Sequence, residues 1–205
     1  MPVIVVTNPK GGVGKTTLSS NIAGYFASRG HKVMLGDIDR QQSARTWLGL
    51  RPAGVASIGT WEVSHAAVVR PPKGTTHVVL DTPAGLHGRR LDEAMKLADK
   101  VLIPLQPGIF DIHATHAFVQ QVLAHRHADR VRFGIVGMRT REGGLATDQL
   151  RTFLGSLELP LVGFLRDTQN YVHLAAHGLT LFDVAATRFD RDLEQWAPIT
   201  AWLDA

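Results

Sequence analysis

The stretch Pro9-Lys10-Gly11-Gly12-Val13-Gly14-Lys15-Thr16-Thr17 directly follows the apolar run Val3–Val6 and decides what this chain can fold into. An apolar, β-branched run of this kind is typical of a strand buried on both faces of a sheet. The glycines after it let the backbone turn tightly and gather successive N–H groups around an anion. A helix is predicted over 16–28, and its positive N-terminus would face the same point. The pattern therefore predicts a phosphate and Mg²⁺ site for a nucleoside triphosphate.

The spacing of this loop departs from the general pattern G-x-x-x-x-G-K-[ST], because Pro9 stands where that pattern has its first glycine. A second lysine, Lys10, follows it, and the loop reads K-G-G-V-G-K-T. This resembles the deviant Walker A motif of the ParA/MinD family of ATPases. The resemblance implies that ATP and Mg²⁺ are the cofactors. It assigns nucleotide binding to eight residues: Lys10, Gly11, Gly12, Val13, Gly14, Lys15, Thr16 and Thr17.

Composition limits the possible classes of protein. The chain has 205 residues, 44% of them hydrophobic and 20% charged, so we expect one α/β domain over 1–205. Apolar runs are too short for a membrane span, and the first strand begins at once, so we expect a cytoplasmic protein without a signal peptide. The absence of cysteine excludes disulfides and cysteine-ligated iron–sulfur clusters. A net charge of +4 is compatible with a polyanionic partner.

The rest of the chain alternates between strand and helix patterns. Strands are predicted over 3–6, 31–37, 76–81, 100–105, 131–136 and 159–164. Helices are predicted over 16–28, 90–98, 112–127, 145–156, 168–177 and 190–203. The stretch 51–75, which is rich in proline and glycine, is left without an assignment. This alternation predicts an α/β fold of the P-loop NTPase kind, a doubly wound and mostly parallel sheet with helices on both faces.

Three aspartates fall at the ends of predicted strands. Asp37 ends the second strand, Asp39 follows two residues later, and Asp81 ends the third. Because ligands of such sheets bind beyond the carboxyl ends of the strands, all three should lie beside the phosphate loop. A lone aspartate at a strand end is usually a turn or cap residue, but three beside a phosphate loop favour positioning of metal and water.

Both aspartate segments also resemble family motifs, and the resemblance gives each residue a role. The stretch 37–41 is similar to D-x-D-P-Q, and 81–85 is similar to the Walker B and switch II stretch. The resemblance places three residues around Mg²⁺: Thr16, Asp37 and Asp81. It gives three residues catalytic roles: Lys15 neutralises the phosphates, Asp39 orients the attacking water, and Lys10 reaches the nucleotide of a second copy. Arg40 stands where the family usually has proline, and Gly137 stands where it commonly has the asparagine that reads adenine.

The resemblance implies a partition-type ATPase as the first functional hypothesis. Such proteins form a homodimer with ATP, bind nonspecific DNA of the nucleoid, and release it when a ParB-like or adaptor protein stimulates hydrolysis. The cycle positions a plasmid, a chromosome region or a protein complex. Arginines of the second half of the chain could neutralise DNA phosphates without reading bases. The resemblance favours three of them as DNA contacts: Arg139, Arg141 and Arg166.

Two other classes stay open. A membrane-cycling ATPase like MinD would end in a basic amphipathic helix, but Pro198 interrupts the segment 191–205 and acidic residues balance its only arginine. We therefore expect no membrane partner, and sedimentation with liposomes and ATP would test this. A metabolic ATP-dependent enzyme would turn over without DNA or a protein partner, and the sequence offers no evident second-substrate motif.

Overall fold

The computed structural model describes residues 1–61, 71–155 and 159–205. Within these ranges the strands are β1 (Val3–Val6), β2 (Val33–Asp37), β3 (Ile58–Trp61), β4 (His77–Asp81), β5 (Lys100–Leu105), β6 (Arg132–Thr140) and β7 (Leu161–Arg166). The α-helices are α1 (Lys15–Ser28), α2 (Ser43–Gly49), α3 (Gly88–Leu97), α4 (Ile109–Leu123), α5 (Leu145–Leu154), α6 (Asn170–Ala176) and α7 (Asp190–Asp204). Short 3₁₀ turns lie at Ala128–Arg130, Leu181–Asp183 and Ala186–Arg188.

The strands form one sheet in the order β3-β2-β4-β1-β5-β6-β7, and every pairing is parallel. Because the strands share one direction, their carboxyl ends lie along a single edge. The register places Val6 of β1 beside Asp81 of β4, and Asp81 beside Asp37 of β2. The three segments that the sequence assigns to the nucleotide therefore leave the sheet side by side.

Two apolar layers cover the sheet, one on each face. Val3 and Val5 of β1 pack with helices α3, α4 and α5, whereas Ile4 and Val6 pack with α1, α2, α6 and α7. This alternation follows from the strand, whose successive side chains point to opposite faces. Each fully buried branched side chain contributes about 1.5–3 kcal/mol to folding. The doubly wound α/β fold predicted from the sequence is confirmed.

The boundaries of several elements differ from the prediction. All six predicted strands are present, but the one predicted over 131–136 extends to Thr140, and the one predicted over 159–164 lies at Leu161–Arg166. The helix predicted over 112–127 spans Ile109–Leu123. Strand β3 and helix α2 were not predicted. Of the regions named above, 62–70 and position 156 lie outside the described residues.

The C-terminal helix corrects one expectation. Pro198 lies inside α7 and does not end it. The apolar side of this helix faces the protein, since Trp196, Ile199 and Leu203 are buried against the α1 side of the sheet. In the part of the chain that the structure describes, no helix combines the length and apolar character required to cross a membrane.

Candidate functional site

The phosphate loop links β1 to α1 and bends through two left-handed glycines. Gly12 has a φ of +73° and Gly14 a φ of +96°, which a residue with a Cβ adopts only at a cost. The loop borders a cavity of about 520 Å³ that is also bordered by Asp39, the segment 82–84 and Arg139. The loop therefore presents its backbone to an open space at the carboxyl edge of the sheet.

Two polar side chains that sequence analysis missed fix the shape of this loop. Asn8 is fully buried, and its amide donates to Pro104 O at 2.8 Å and to Thr115 Oγ1 at 3.0 Å. Its Oδ1 accepts the N–H of Lys10 at 2.8 Å. On the other side, Gln106 Nε2 donates to Gly12 O at 2.8 Å. The bond from Lys10 to Asn8 is an Asx turn, the local signal that could have drawn attention to Asn8.

Lys15, the first residue of α1, directs its amine back into the loop. The Nζ atom donates to Lys10 O at 2.7 Å and to Asn8 O at 3.3 Å. Burial lowers the pKa of Lys15, whereas the charges of Asp81 and Asp39 raise it. The amine is thus held at the mouth of the amide nest, where a lysine neutralises phosphate charge.

Thr16 and Asp81 contact each other directly, so Asp81 lies beside the phosphate loop, where the shared edge of the sheet was expected to place it. The Thr16 hydroxyl donates to Asp81 Oδ2 at 2.6 Å, and Ser19 Oγ donates to Oδ1 at 3.2 Å. Burial raises the pKa of Asp81 to about 7, and the hydrogen bond from Thr16 opposes that rise. A buried carboxylate that shares a hydroxyl with the phosphate loop is a suitable neighbour for a hard cation.

Asp37 lies next to this pair but uses both carboxylate oxygens for backbone contacts. Oδ1 accepts the N–H of Asp39 at 2.9 Å, and Oδ2 accepts that of Ala44 at 2.8 Å. Burial raises the pKa of Asp37, and these amide bonds lower it. Asp39 is partly exposed on the wall of the cavity, so the structure brings both residues to the site that the sequence assigned to them.

The residues present fit Mg²⁺ and a triphosphate. Mg²⁺ prefers oxygen ligands and is usually held by one or two carboxylates together with substrate phosphates. Thr16 and Asp81 supply a hydroxyl and a carboxylate at one point, and the glycine amides with Lys15 supply donors for phosphate oxygens. Within 1–61, 71–155 and 159–205, no group of three or more His, Cys, Asp or Glu side chains could hold a metal by itself.

Lys10, the residue that sets this loop apart, points away from the loop amides. Its Nζ lies 3.6 Å from Asp111 Oδ1 in the first turn of α4, and the two side chains are 41% and 25% exposed. Ile109 and Phe110 beside it are 57% and 79% exposed. In a single copy, the second lysine therefore lies next to an exposed apolar patch and pairs with a carboxylate of the same chain.

The three arginines predicted to contact DNA occupy different surroundings. Arg139 borders the cavity beside the phosphate loop. It has a φ of +51° and lies where the pairing of β6 with β7 shifts register. Arg166 is held by Asp192, with Nε at 2.6 Å from Oδ1 of a fully buried carboxylate. The side chain of Arg141 is 82% exposed and pairs loosely with Asp167 at 3.5 Å. Arg139 and Arg141 are both exposed, and of these two only Arg139 borders the cavity beside the phosphate loop.

The end of β6 explains why this chain has no asparagine at the position that resembles the adenine contact. A Cβ on Gly137 would lie 2.2 Å from the ring of Phe164, so the neighbouring strand fills that space. The next residue, Met138, reaches the phosphate loop instead, and its Cε would lie 2.7 Å from a Cβ on Gly14. A larger residue at position 137 would require Phe164 to move.

Comparisons with known proteins agree with this geometry. Residues 4–182 match the family described as the CobQ/CobB/MinD/ParA nucleotide binding domain. The maintenance of carboxysome distribution protein A of Gloeobacter kilaueensis is 30% identical over 185 residues, which cover 87% of this chain and 83% of the relative.

Solved structures share the fold. The McdA–ATP complex of Cyanothece superimposes with a TM-score of 0.69 at 18% identity and covers 98% of this chain and 94% of that one. The cell division ATPase MinD of Pyrococcus furiosus gives 0.73 at 15% identity, with 99% and 98% covered.

Proposed function

Since the chain belongs to the CobQ/CobB/MinD/ParA family of nucleotide-binding domains, we propose that it is a positioning ATPase of the ParA class. It dimerises with ATP, binds duplex DNA without sequence preference, and places a cargo such as a plasmid, a chromosome region or a protein complex. The observation that carries the proposal is the loop with two lysines, Lys10 and Lys15, beside the Thr16–Asp81 pair.

Hydrolysis in this proposal requires little covalent chemistry from the protein. A bound Mg²⁺ would supply positive charge against the charge that develops on the phosphates. Thr16 and Asp81 would hold this cation, and Asp37 would support it from the adjacent strand. Lys15 neutralises phosphate charge from within the loop, and Asp39 orients the attacking water. Turnover is slow until a ParB-like or adaptor protein stimulates it.

Dimerisation depends on Lys10. In the proposed dimer, Lys10 leaves Asp111 and contacts the nucleotide of the second copy, so ATP joins the two protomers. The exposed side chains of Ile109 and Phe110, which directly precede Asp111 in α4, support an interface on this face, because large apolar groups gain from burial. The names of the relatives support the cargo class, since they concern carboxysome distribution and cell division.

Binding to the nucleoid rests on exposed basic side chains, and Arg141 is its first candidate. Arg166 is a weaker candidate because Asp192 already neutralises it, and Arg139 is weaker because it borders the nucleotide cavity. A membrane cycle like that of MinD is less well supported, since the apolar residues of α7 are buried in the protein.

The deciding experiment is retention on random duplex DNA with ATP, with ADP and without nucleotide, across a salt series. Retention with ATP alone, weakened steeply by salt, is the expected result. Arg141→Gln should lower the salt slope by about one unit, whereas the ion-paired Arg126→Gln serves as a control. Equal retention in all three nucleotide states, or none in any, would contradict the proposal, and liposome sedimentation would then test the membrane cycle.

Three variants separate the proposed steps. Lys15→Ala should lower the affinity for ATP by about 10- to 100-fold, because a charge-assisted hydrogen bond contributes roughly 1.5–3 kcal/mol. Lys10→Ala should bind ATP and stay monomeric. Asp39→Ala should bind ATP, dimerise and remain on DNA without hydrolysis. Wild-type hydrolysis by Asp39→Ala would show that the catalytic assignment is wrong. Lys96→Ala, at an exposed position of α3, is the matched control.

A further inference from the structure

Asp39 lies in a tight turn that joins β2 to α2, and hydrogen bonds hold both ends of that turn. The carboxylate of Asp37 accepts the N–H groups of Asp39 at 2.9 Å and Ala44 at 2.8 Å. Asp39 Oδ1 accepts the N–H of Gln41 at 3.0 Å. The direction of the Asp39 carboxylate therefore depends on the conformation of a few residues of main chain.

The side chain of Gln42 spans this turn from the inside. Its Nε2 donates to Asp37 O at 2.9 Å and to Asp39 O at 2.7 Å. Its own N–H donates to Asp39 O at 3.2 Å. One primary amide thus ties the residue that ends β2 to the residue that faces the cavity.

The backbone of Gln42 adopts a conformation that costs energy for any residue with a Cβ, so the side chain must offset that cost. Gln42 has a φ of +52° and a ψ of +39°, the left-handed region in which glycine is the favoured residue. It occupies the N-cap of α2, but its side chain makes no capping hydrogen bond to the helix. Helix capping therefore does not explain a glutamine here, and the two bonds to the turn do.

Arg40 explains why the turn requires such a brace. A proline at this position, as in the motif D-x-D-P-Q, would fix φ covalently directly after Asp39. Arg40 leaves that torsion free, its side chain is exposed, and among the described residues its N–H makes no hydrogen bond. A proline there would consequently remove no hydrogen bond, and the arginine contributes none to the turn.

We propose that Gln42 is the positioning residue of Asp39, and that its side-chain amide supplies the restraint that proline would supply at position 40. The proposal rests on the proposed function, in which Asp39 orients the attacking water. Gln42 acts through Asp39 and does not contact the nucleotide.

Single-turnover ATP hydrolysis of the full chain tests this, with ATP affinity and the thermal midpoint measured on the same samples. Gln42→Ala loses the amide, and Gln42→Glu keeps the shape of the side chain but loses the donor. Both should slow hydrolysis about tenfold or more, since two neutral hydrogen bonds of ordinary strength are lost. Both should leave the affinity for ATP within about twofold, because the phosphate loop is untouched.

Rescue by proline gives the sharper result. Arg40→Pro alone should leave hydrolysis near the wild-type rate, and Arg40→Pro combined with Gln42→Ala should recover most of the lost rate. A residue that only stabilised the fold would lower the thermal midpoint and ATP affinity together, and proline would not restore the rate. Gln121→Ala, at an exposed position of α4, is the matched control.

The outcomes separate this proposal from the proposed function. Two results would overturn the role of Gln42 and leave the ATPase assignment standing. In the first, Asp39→Ala hydrolyses ATP slowly but Gln42→Ala hydrolyses it at the wild-type rate. In the second, Gln42→Ala is slow and the added Arg40→Pro does not restore the rate. Loss of ATP binding in the wild-type chain would overturn the proposed function instead.

Discussion

Lys10 and Asp111 form a pair whose strength can be bounded from its exposure. The atoms lie 3.6 Å apart, and both side chains are partly open to solvent. Pairs of this kind contribute about 0–1 kcal/mol, because water and salt screen them. Asp111 can therefore hold Lys10 within its own chain and still release it when a stronger anion, such as a triphosphate, is offered.

Removal of Asp111 should accordingly favour the dimer. We expect Asp111→Asn to reduce the protein concentration at half-dimerisation with ATP by up to about 30-fold, because each of the two protomers loses a pair of up to about 1 kcal/mol. Sedimentation velocity over a concentration series measures this. Glu93→Gln, which breaks the exposed pair with Arg89 on α3, is the control and should leave the midpoint unchanged. A higher protein concentration at half-dimerisation for Asp111→Asn than for the wild type would mean that this carboxylate belongs to the interface.

At the residue scale, the sequence predicted the groups that face the ligand better than those that hold them in place. Lys15, Thr16 and Asp81 were found because glycine spacing and strand ends mark them. Asn8 was missed because its amide contacts a carbonyl group 96 residues away that only the folded chain brings near. Gln42 was missed because its contacts depend on a left-handed backbone conformation that is rare for glutamine. A polar side chain in a turn usually caps a helix or faces solvent. The Asx turn marks Asn8 only as a turn residue, and nothing local marks Gln42.

A buried ion pair joins Arg51, which follows helix α2, to the turn at 178–183. Arg51 donates to both oxygens of Asp183 at 2.9 and 2.7 Å, and the two side chains are 6% and 1% exposed. Arg51 also donates to the carbonyls of Ala56 and Gly178. The chain that follows α2 is thereby fixed to a segment more than 120 residues away in the sequence.

Breaking this pair should cost far more than breaking an exposed one. Arg51→Met leaves the Asp183 carboxylate buried and unpaired, so we predict a loss of about 3–5 kcal/mol in the free energy of unfolding. Urea denaturation provides the measurement, with Arg89→Met as the exposed control, for which less than about 0.5 kcal/mol is expected. Arg51→Met combined with Asp183→Leu should recover part of the loss. A cost for Arg51→Met equal to that of the control would refute this account.

At the scale of elements, long periodic segments were predicted and short edge segments were not. Strand β3 has four residues, one of them Gly59, which lies so close to Met34 that a Cβ would fall 2.5 Å from its sulfur. Its strand conformation depends on pairing with β2 more than on the propensity of its residues. Helix α2 has seven residues, and the Asp37 carboxylate anchors its start from the end of β2. Both elements depend on contacts with residues outside the element itself.

The stability of the whole molecule should depend on pH through His77 at the amino edge of the sheet. Its ring stacks on Phe26 at 4.2 Å and lies 4.1 Å from His31. Burial lowers the pKa of His77 from 6.5 to about 4, and His31 adds to the effect. Between these values the unfolded chain binds a proton and the folded chain does not, so the stabilisation present above pH 6.5 is lost as pH falls toward about 4.

His77→Phe isolates this contribution because it keeps a ring against Phe26 and removes the titration. When the pH falls from 7 to 4.5, the free energy of unfolding should decrease by about 1 kcal/mol less in the variant than in the wild type. This value is reduced for the partial exposure of the ring. Denaturant titrations at the two pH values provide the comparison, and Phe replacement at the exposed His113 is the control. Parallel pH profiles for wild type and variant would show that His77 titrates normally.

Both ends of the described chain lie far from the phosphate loop. Helix α1 begins at that loop, and its 14 residues, at about 1.5 Å each, carry the chain some 20 Å toward the opposite edge. There Tyr25 donates to Asp204 at 2.6 Å, and β1 starts along the same edge at Val3. A fluorescent or affinity domain fused to either terminus would lie at the edge of the sheet opposite the phosphate loop. A tagged protein can therefore report its location in a cell without obstructing the face proposed to dimerise.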